Sequence, residues 1–142
     1  MEIIQIIGFR PNEETSRKMP LFEMSVSAGI PVPVENDIER EIDLNEYLVE
    51  HPASTFFAKV SGLNLNFAGI RDGDILIIDS AVVPYDGKLV LVSVNSDLSV
   101  KMFREVDGEV FLESSNHQFL PLVVGEVEFN IIGTVTKIIH SL

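Results

Sequence analysis

The sequence contains no cysteine and no tryptophan, and only three histidines among its 142 residues. Without cysteine, neither a disulfide framework nor a thiolate site can form. That absence fits a reducing compartment, so the expected location is the cytoplasm. No apolar run reaches the roughly 20 residues that a membrane-spanning helix needs, and no N-terminal stretch has the order of a signal peptide. We therefore expect no membrane contact.

Basic residues are also scarce, with 10 Lys and Arg against 22 Asp and Glu, for a formal net charge of −12. Binding to duplex DNA normally depends on several basic side chains that neutralise phosphates. Here the basic residues are scattered, and their only cluster is Arg17 and Lys18. The sequence therefore predicts no direct nucleic-acid binding. An acidic surface favours solubility and suits basic protein partners.

The three histidines are His51, His117 and His140, and none has a partner at metal-ligand spacing. We expect each of them to be structural or solvent-facing. The glycine-containing segment Gly69–Gly73 lacks the pattern of a phosphate-binding loop, and it lies between two predicted strands rather than before a helix. No metal and no cofactor is therefore predicted.

Most of the chain has the pattern of short β-strands separated by turn residues. The strands are rich in β-branched and aliphatic residues, and they are predicted over residues 55–60, 74–79, 88–95, 98–105, 109–114 and 127–140. Asp107–Gly108 is a residue pair that closes hairpins, and Gly133 predicts a bend or bulge in the last strand. The fold class is therefore mostly β, or β-rich α+β.

One short helix is predicted where Asp43 precedes Glu46 by three residues, because this spacing is typical of a capping box. Leu44, Tyr47 and Leu48 would follow at helical spacing, and Pro52 would end the helix. Residues 2–8 form an apolar run that could be an edge strand or an arm that docks on a neighbour.

Lys101 is the residue whose surroundings best suit chemistry. Its neighbours Val100, Met102 and Phe103 are apolar, so at least its aliphatic stem is expected to be half-buried. A desolvated lysine loses its charge readily and can act as a general base. The alternative is an amphipathic lysine that extends to solvent from an edge strand.

Several segments resemble the LexA/UmuD family of self-cleaving serine–lysine peptidases. Residues 59–79 resemble the nucleophile region of that family, and Ser99–Lys101 resembles its lysine strand. Pro20–Phe22, Ile42–Asn45 and His51–Pro52 resemble the UmuD-type members in particular. The resemblance implies a fold of twisted antiparallel sheets with one short helix. It also implies an N-terminal arm over residues 1–41 and a peptidase domain over residues 42–142.

The resemblance assigns roles to particular residues. In the family, the domain cuts an Ala-Gly or Cys-Gly bond in the arm, and the matching bond here is Ala28–Gly29. Lys101 matches the general base, but Asn64 stands at the position of the nucleophilic serine. Because a carboxamide has no hydroxyl to ionise, acyl transfer through Asn64 is not expected. We predict that Asn64 and Lys101 lie side by side, with the amide oxygen accepting from the lysine.

The resemblance also implies a function and partners. We expect a UmuD-like accessory protein of SOS mutagenesis, active in translesion DNA synthesis, that forms a homodimer and engages an error-prone DNA polymerase subunit and the RecA filament. The roughly twenty residues before Leu21 are too few for the helix-turn-helix domain of a repressor. One alternative is an active self-cleaving peptidase that uses Ser61. Another is a peptidase-like dimerisation module with an unrelated partner.

Overall fold

The computed structural model describes residues 3–7, 18–22, 38–61, 67–114, 119–121 and 129–142. The chain divides into two compact units, one of residues 1–10 and 51–142 and one of residues 11–50. The predicted division into an arm (1–41) and a peptidase domain (42–142) stays a prediction.

Within the described residues, the structure has ten strands and one α-helix. In chain order these are β1 (Ile3–Ile7), β2 (Lys18–Phe22), β3 (Ile38–Asp43), α1 (Leu44–Leu48), β4 (Thr55–Ser61), β5 (Ile75–Asp79), β6 (Leu89–Val94), β7 (Asp97–Val106), β8 (Glu109–Glu113), β9 (Phe119–Pro121) and β10 (Phe129–Ile139). The larger unit holds an eight-stranded antiparallel sheet in the order β1-β4-β5-β10-β6-β7-β8-β9, and the smaller unit holds the hairpin-like pair β2-β3.

The sheet buries apolar side chains on both faces. Alternate residues of each strand point to the same face, and one face carries the main core of Ala58, Val60, Ile70, Leu76, Ile78, Leu89, Leu91, Val100 and Val135. The other face carries a smaller cluster of Val90, Val92, Phe103 and Leu112. Since β6 and β7 contribute to both clusters, the strands that carry the candidate site are held from two sides.

Two tight turns set the register of β6, β7 and β8. The β6–β7 turn has Asn95 and Ser96 at φ 48° and 70°, and the β7–β8 turn has Asp107 and Gly108 at φ 52° and 78°. Two consecutive positive φ angles are the mark of type I′ hairpin turns, which match the twist of the flanking strands. Each turn therefore aligns its two strands residue against residue.

The predicted fold class is confirmed, because the described chain is strand-rich and antiparallel with one short helix. The predicted strands are all present, and β1 is an edge strand of the sheet. The register of β10 against β6 shifts between Ile131 and Gly133, as the glycine predicted. The helix begins as predicted, with the Asp43 side chain accepting from the backbone N–H of Asn45 at 2.9 Å.

Two details differ from the sequence prediction. The helix ends at Leu48 rather than at Pro52, because Val49 already has extended backbone angles. The pair β2-β3 has no counterpart in the prediction. Pro20 lies inside β2. Because both strands of a two-stranded sheet are edge strands, a proline there removes no central ladder hydrogen bond.

Candidate functional site

Lys101 lies in the middle of β7, which pairs with β6 on one side and β8 on the other. The lysine strand is therefore an interior strand of the sheet and not an edge. Lys101 is paired with Val90, and it shares a sheet face with Phe103. Its side chain is half-buried, as the apolar neighbours predicted.

The amine of Lys101 contacts a hydroxyl that sequence reasoning missed. Nζ donates to Oγ of Ser114 at 3.1 Å, and Ser114 is only 9% exposed. Met102 pairs with Glu113 across β7 and β8, so the next residues along the two strands, Lys101 and Ser114, face each other. The pairing of these two residues could have been predicted from the sequence. A two-residue turn at Asp107–Gly108 pairs Lys101 with Ser114 when the ladder is counted outward.

The nucleophile position and the expected scissile bond lie outside the described residues. Asn64 falls between the end of β4 at Ser61 and a 3₁₀ turn at Phe67–Gly69, and Ala28–Gly29 falls between β2 and β3. The predicted contact between Asn64 and Lys101 therefore stays a prediction. Ser61 is half-buried at the end of β4.

The turn that follows this segment is tied to the strands around it. The backbone N–H of Gly73 donates to Val60 at 2.7 Å, and the N–H of Val60 donates to Asp74 at 2.9 Å. Gly73 has φ 85°, a left-handed conformation that glycine adopts without the strain of a side chain. The turn before β5 is thus anchored to β4.

Asp74, the residue before β5, is 1% exposed and forms the centre of a polar cluster. It accepts from the backbone N–H of Arg71 at 2.8 Å and from Nδ1 of His140 at 2.6 Å. The guanidinium of Arg71 contacts Nε2 of His140 at 2.9 Å. Because arginine can only donate, Nε2 must accept and the single ring proton must reside on Nδ1. The two contacts therefore give Nδ1 the role of donor and Nε2 the role of acceptor.

A second cluster forms at the other end of β5 around Asp79, which is 3% exposed. Its carboxylate accepts from Ser54 Oγ at 2.7 Å and from the Ala81 N–H at 2.9 Å, and it contacts Nδ1 of His51 at 2.5 Å. Burial by itself raises the pKa of Asp79. The hydrogen bonds from Ser54, His51 and Ala81, with the attraction of the His51 ring, outweigh burial and hold this pKa below its ordinary value of 3.8.

The second cluster has the residue types of a catalytic triad without its geometry. In a triad the serine contacts the histidine, which in turn contacts the carboxylate. Here the hydroxyl of Ser54 donates to Asp79, and the carboxylate lies between the other two groups. Its role is to fasten the end of β5 to the turn before β4. His51 and His140 each contact a buried aspartate, while His117 lies outside the described residues.

Within the described residues, no three His, Asp or Glu side chains lie close enough to hold a metal ion. Within the same ranges, no helix is long and apolar enough to cross a membrane. The Lys101–Ser114 pair places an amine within hydrogen-bond reach of a hydroxyl.

Comparison with known sequences identifies relatives. Residues 20–136 match the Peptidase S24-like family. Protein SamA of Salmonella typhimurium is 31% identical over 129 residues, which cover 91% of this chain and 90% of SamA. Protein ImpA of Escherichia coli is 38% identical over 91 residues, so the match spans 63% of ImpA. The LexA repressor of Colwellia psychrerythraea is 33% identical over 118 residues, which cover 82% of this chain but 56% of the repressor.

Proposed function

Because the chain belongs to the Peptidase S24-like family, we propose that it is a UmuD-like accessory protein of SOS mutagenesis that acts in translesion DNA synthesis. The LexA/UmuD family predicted from the sequence motifs is confirmed by that membership. The observation that carries the functional proposal is the fraction of each relative that its alignment with this chain covers. The alignment with SamA covers 90% of that protein, whereas the alignment with the LexA repressor covers 56%.

In this proposal, the chain forms a cytoplasmic homodimer that engages an error-prone DNA polymerase subunit and the RecA filament. The net charge of −12 supports contacts with proteins rather than with phosphates. A pull-down from cells with induced DNA damage tests the polymerase contact. Recovery of the chain without any polymerase subunit would favour a dimerisation module with an unrelated partner.

We further propose that the arm is not cut at Ala28–Gly29. Asn64 stands where the family has its nucleophilic serine, and a carboxamide cannot be activated as a hydroxyl can. Two features of the described residues support retention of the remaining machinery. Lys101 is half-buried on an interior strand, and backbone hydrogen bonds of Gly73 and Val60 anchor the turn that follows the nucleophile segment.

Intact-mass measurement after exposure to activated RecA, or to alkaline pH, tests this directly. The unmodified chain should keep one mass. Asn64→Ser should yield two fragments that meet between Ala28 and Gly29, because it restores the hydroxyl that the family uses as its nucleophile. Asn64→Ala is the matched control and should stay intact, as should Asn64→Ser combined with Lys101→Met.

Two fragments from the unmodified chain would overturn the proposal that the arm is not cut. If Ser61→Ala then abolished that cleavage, Ser61 would be identified as the nucleophile. An intact Asn64→Ser protein would show that the rest of the domain, Lys101 included, no longer supports self-processing. In that case this chain would differ from the self-cleaving members of the family at more than residue 64.

A further inference from the structure

The chain contains three Asp-Gly pairs, the dipeptide at which aspartate isomerises most readily: Asp72–Gly73, Asp86–Gly87 and Asp107–Gly108. All of them lie in turns, and their glycines have φ angles of 85°, 87° and 78°. The sequence alone therefore does not separate them. We infer that Asp107–Gly108 is the pair that isomerises spontaneously to isoaspartate in the folded chain, whereas the fold protects the other two. This inference does not depend on the proposed function.

Isomerisation begins when the backbone nitrogen of the glycine attacks Cγ of the aspartate in its protonated form. A bond forms between this nitrogen and Cγ, and the N–H proton leaves with the carboxyl hydroxyl as water, which gives a succinimide ring. Water then opens the ring. Cleavage between the nitrogen and Cγ restores aspartate, whereas cleavage between the nitrogen and the main-chain carbonyl carbon gives isoaspartate. The nitrogen must therefore be able to turn toward the side chain before it can react.

Backbone hydrogen bonds hold the attacking nitrogen at the two protected pairs. The N–H of Gly73 donates to the carbonyl of Val60 at 2.7 Å. The N–H of Gly87 donates to the carbonyl of Phe103 at 2.8 Å. Because each acceptor belongs to a strand of the sheet, the nitrogen can turn away only if that hydrogen bond opens first. The net value of one such hydrogen bond corresponds to a rate about tenfold lower.

The β7–β8 turn lacks these restraints. Asp107 and Gly108 are both exposed. In the part of the chain that the structure describes, the Gly108 N–H has no acceptor and the Asp107 carboxylate has no donor. The carboxylate of Asp86, by contrast, is fastened: Oδ1 accepts from the Glu105 N–H at 2.9 Å and lies 3.5 Å from Nε of Arg104. Both reacting groups are therefore free to approach each other at Asp107–Gly108.

Isomerisation at this turn has a structural consequence. Isoaspartate carries the main chain through Cβ and Cγ, so it adds a methylene to the loop that joins β7 and β8. The present loop places Val106 opposite Glu109, and the length of a hairpin loop fixes the register of its strands. The isomerised chain should therefore lose the pairs nearest the turn and unfold at a lower urea concentration than the unmodified chain.

The test stores the full, folded chain at neutral pH and physiological temperature and follows isoaspartate by peptide mapping. The modified peptides keep their mass but change their retention, and an isoaspartate methyltransferase with S-adenosylmethionine labels them. We expect isoaspartate at Asp107 to form about ten times faster than at Asp72 or Asp86. The chain unfolded in urea is the control, and it should react at similar rates at every Asp-Gly pair. A folded chain in which Asp107 reacts no faster than either other pair would overturn the inference.

A pair of variants tests the same protection with a faster reaction. An asparagine forms the succinimide more quickly than an aspartate, because ammonia leaves in place of water, and hydrolysis of the ring then raises the mass of the chain. Asp107→Asn keeps the fold, since Asn-Gly suits a type I′ turn. Asp86→Asn is the matched control, because the Gly87 N–H stays bound to Phe103. Asp107→Asn should deamidate about ten times faster than Asp86→Asn, and equal rates would contradict the inference.

Discussion

The two ends of β5 use the same pair of residue types in different ways. At its start, buried Asp74 accepts from Nδ1 of His140 at 2.6 Å, and at its end, buried Asp79 contacts Nδ1 of His51 at 2.5 Å. The difference lies at the second ring nitrogen. His140 is also bound at Nε2 by Arg71, whereas the side chain of His51 is 53% exposed.

This difference shows that a histidine–aspartate contact does not have one fixed meaning. At the Asp74 end, the arginine imposes the tautomer, and the aspartate must be an acceptor. At the Asp79 end, Nδ1 of His51 donates to the carboxylate, and the exposed side of the ring lets Nε2 exchange hydrogen bonds with water. The donor and acceptor roles are therefore fixed at Asp74, whereas a change of those roles can be accommodated at Asp79.

The largest expected effect comes from Gly133, beside the Asp79 end, and Gly73 at the other end provides the comparison. A Cβ on Gly133 would lie 2.6 Å from Cγ2 of Ile78 and 3.2 Å from the carbonyl oxygen of Asp79. Gly133→Ala should therefore lower the free energy of unfolding by about 2–3 kcal/mol, as overpacking of a core does. Gly73→Ala meets no atom within 4 Å but keeps φ 85°, so about 1 kcal/mol of strain is expected. Urea unfolding measures both, and equal costs would show that the close approach at Gly133 relaxes freely.

The next effect separates the two aspartates. Asp74→Asn cannot satisfy both the Arg71 N–H and the Nδ1 proton of His140, so it should cost about 1–2 kcal/mol. Asp79→Asn keeps an oxygen for Ser54 and Ala81 and turns its NH₂ to His51, which can shift its proton to the exposed nitrogen. Its expected cost is below about 1 kcal/mol. Urea unfolding at neutral pH compares the two variants, and a larger cost at Asp79 would contradict the assignment of tautomers.

A double-mutant cycle tests the cause of that difference. In the background of Arg71→Met, His140 is released to place its proton on Nε2, and Asp74→Asn should then cost about as little as Asp79→Asn. The expected coupling is about 1 kcal/mol. Strict additivity of Arg71→Met and Asp74→Asn would mean that the arginine does not set the tautomer.

Acid should lower the stability of the protein through Asp79, because the pKa of this carboxyl is lowered in the folded state. A carboxyl whose pKa is lower in the folded state stabilises the protein above its unfolded pKa of about 3.9, and this contribution is lost as the pH falls through the folded value. The stability advantage of the natural chain over Asp79→Asn should therefore shrink below about pH 4. Urea unfolding of both proteins from neutral to acidic pH measures it. An advantage that stays constant would show that the folded pKa is not lowered.

The smallest effect concerns a single hydroxyl. Ser54→Ala removes the donor 2.7 Å from Asp79 Oδ1, so the pKa of Asp79 should rise and the free energy of unfolding should fall by less than about 1 kcal/mol. Ser80→Ala is the matched control, because the Ser80 hydroxyl donates to the backbone of Ser54 and not to the carboxylate. NMR titration of the carboxyl carbon follows Asp79 in both variants. Equal shifts would show that the Ser54 bond does not hold the pKa down.

Much of the fold was predictable because its signals are local. Segments rich in β-branched and aliphatic residues marked β4 to β8 and β10, and Asp43 marked the helix start. The short pair β2-β3 was missed because a proline-containing edge strand carries little periodic signal. The candidate site was predictable in part. Lys101 was found from its apolar neighbours, while Ser114 was overlooked although the Asp107–Gly108 turn places it opposite.

Residue order and turn chemistry were enough to specify which strands form hairpins and which residues face each other across them. Positive φ angles at Asn95 and Asp107 act over a few residues, so their effect on register can be counted along the chain. The contacts at the ends of β5 required the three-dimensional arrangement, since they join residues 66 and 28 positions apart. Ile139 pairs with Ile75, and this register brings His140 to Asp74. Because β10 lies beside β5 only after the sheet has assembled, no local pattern could show which histidine each buried aspartate would find.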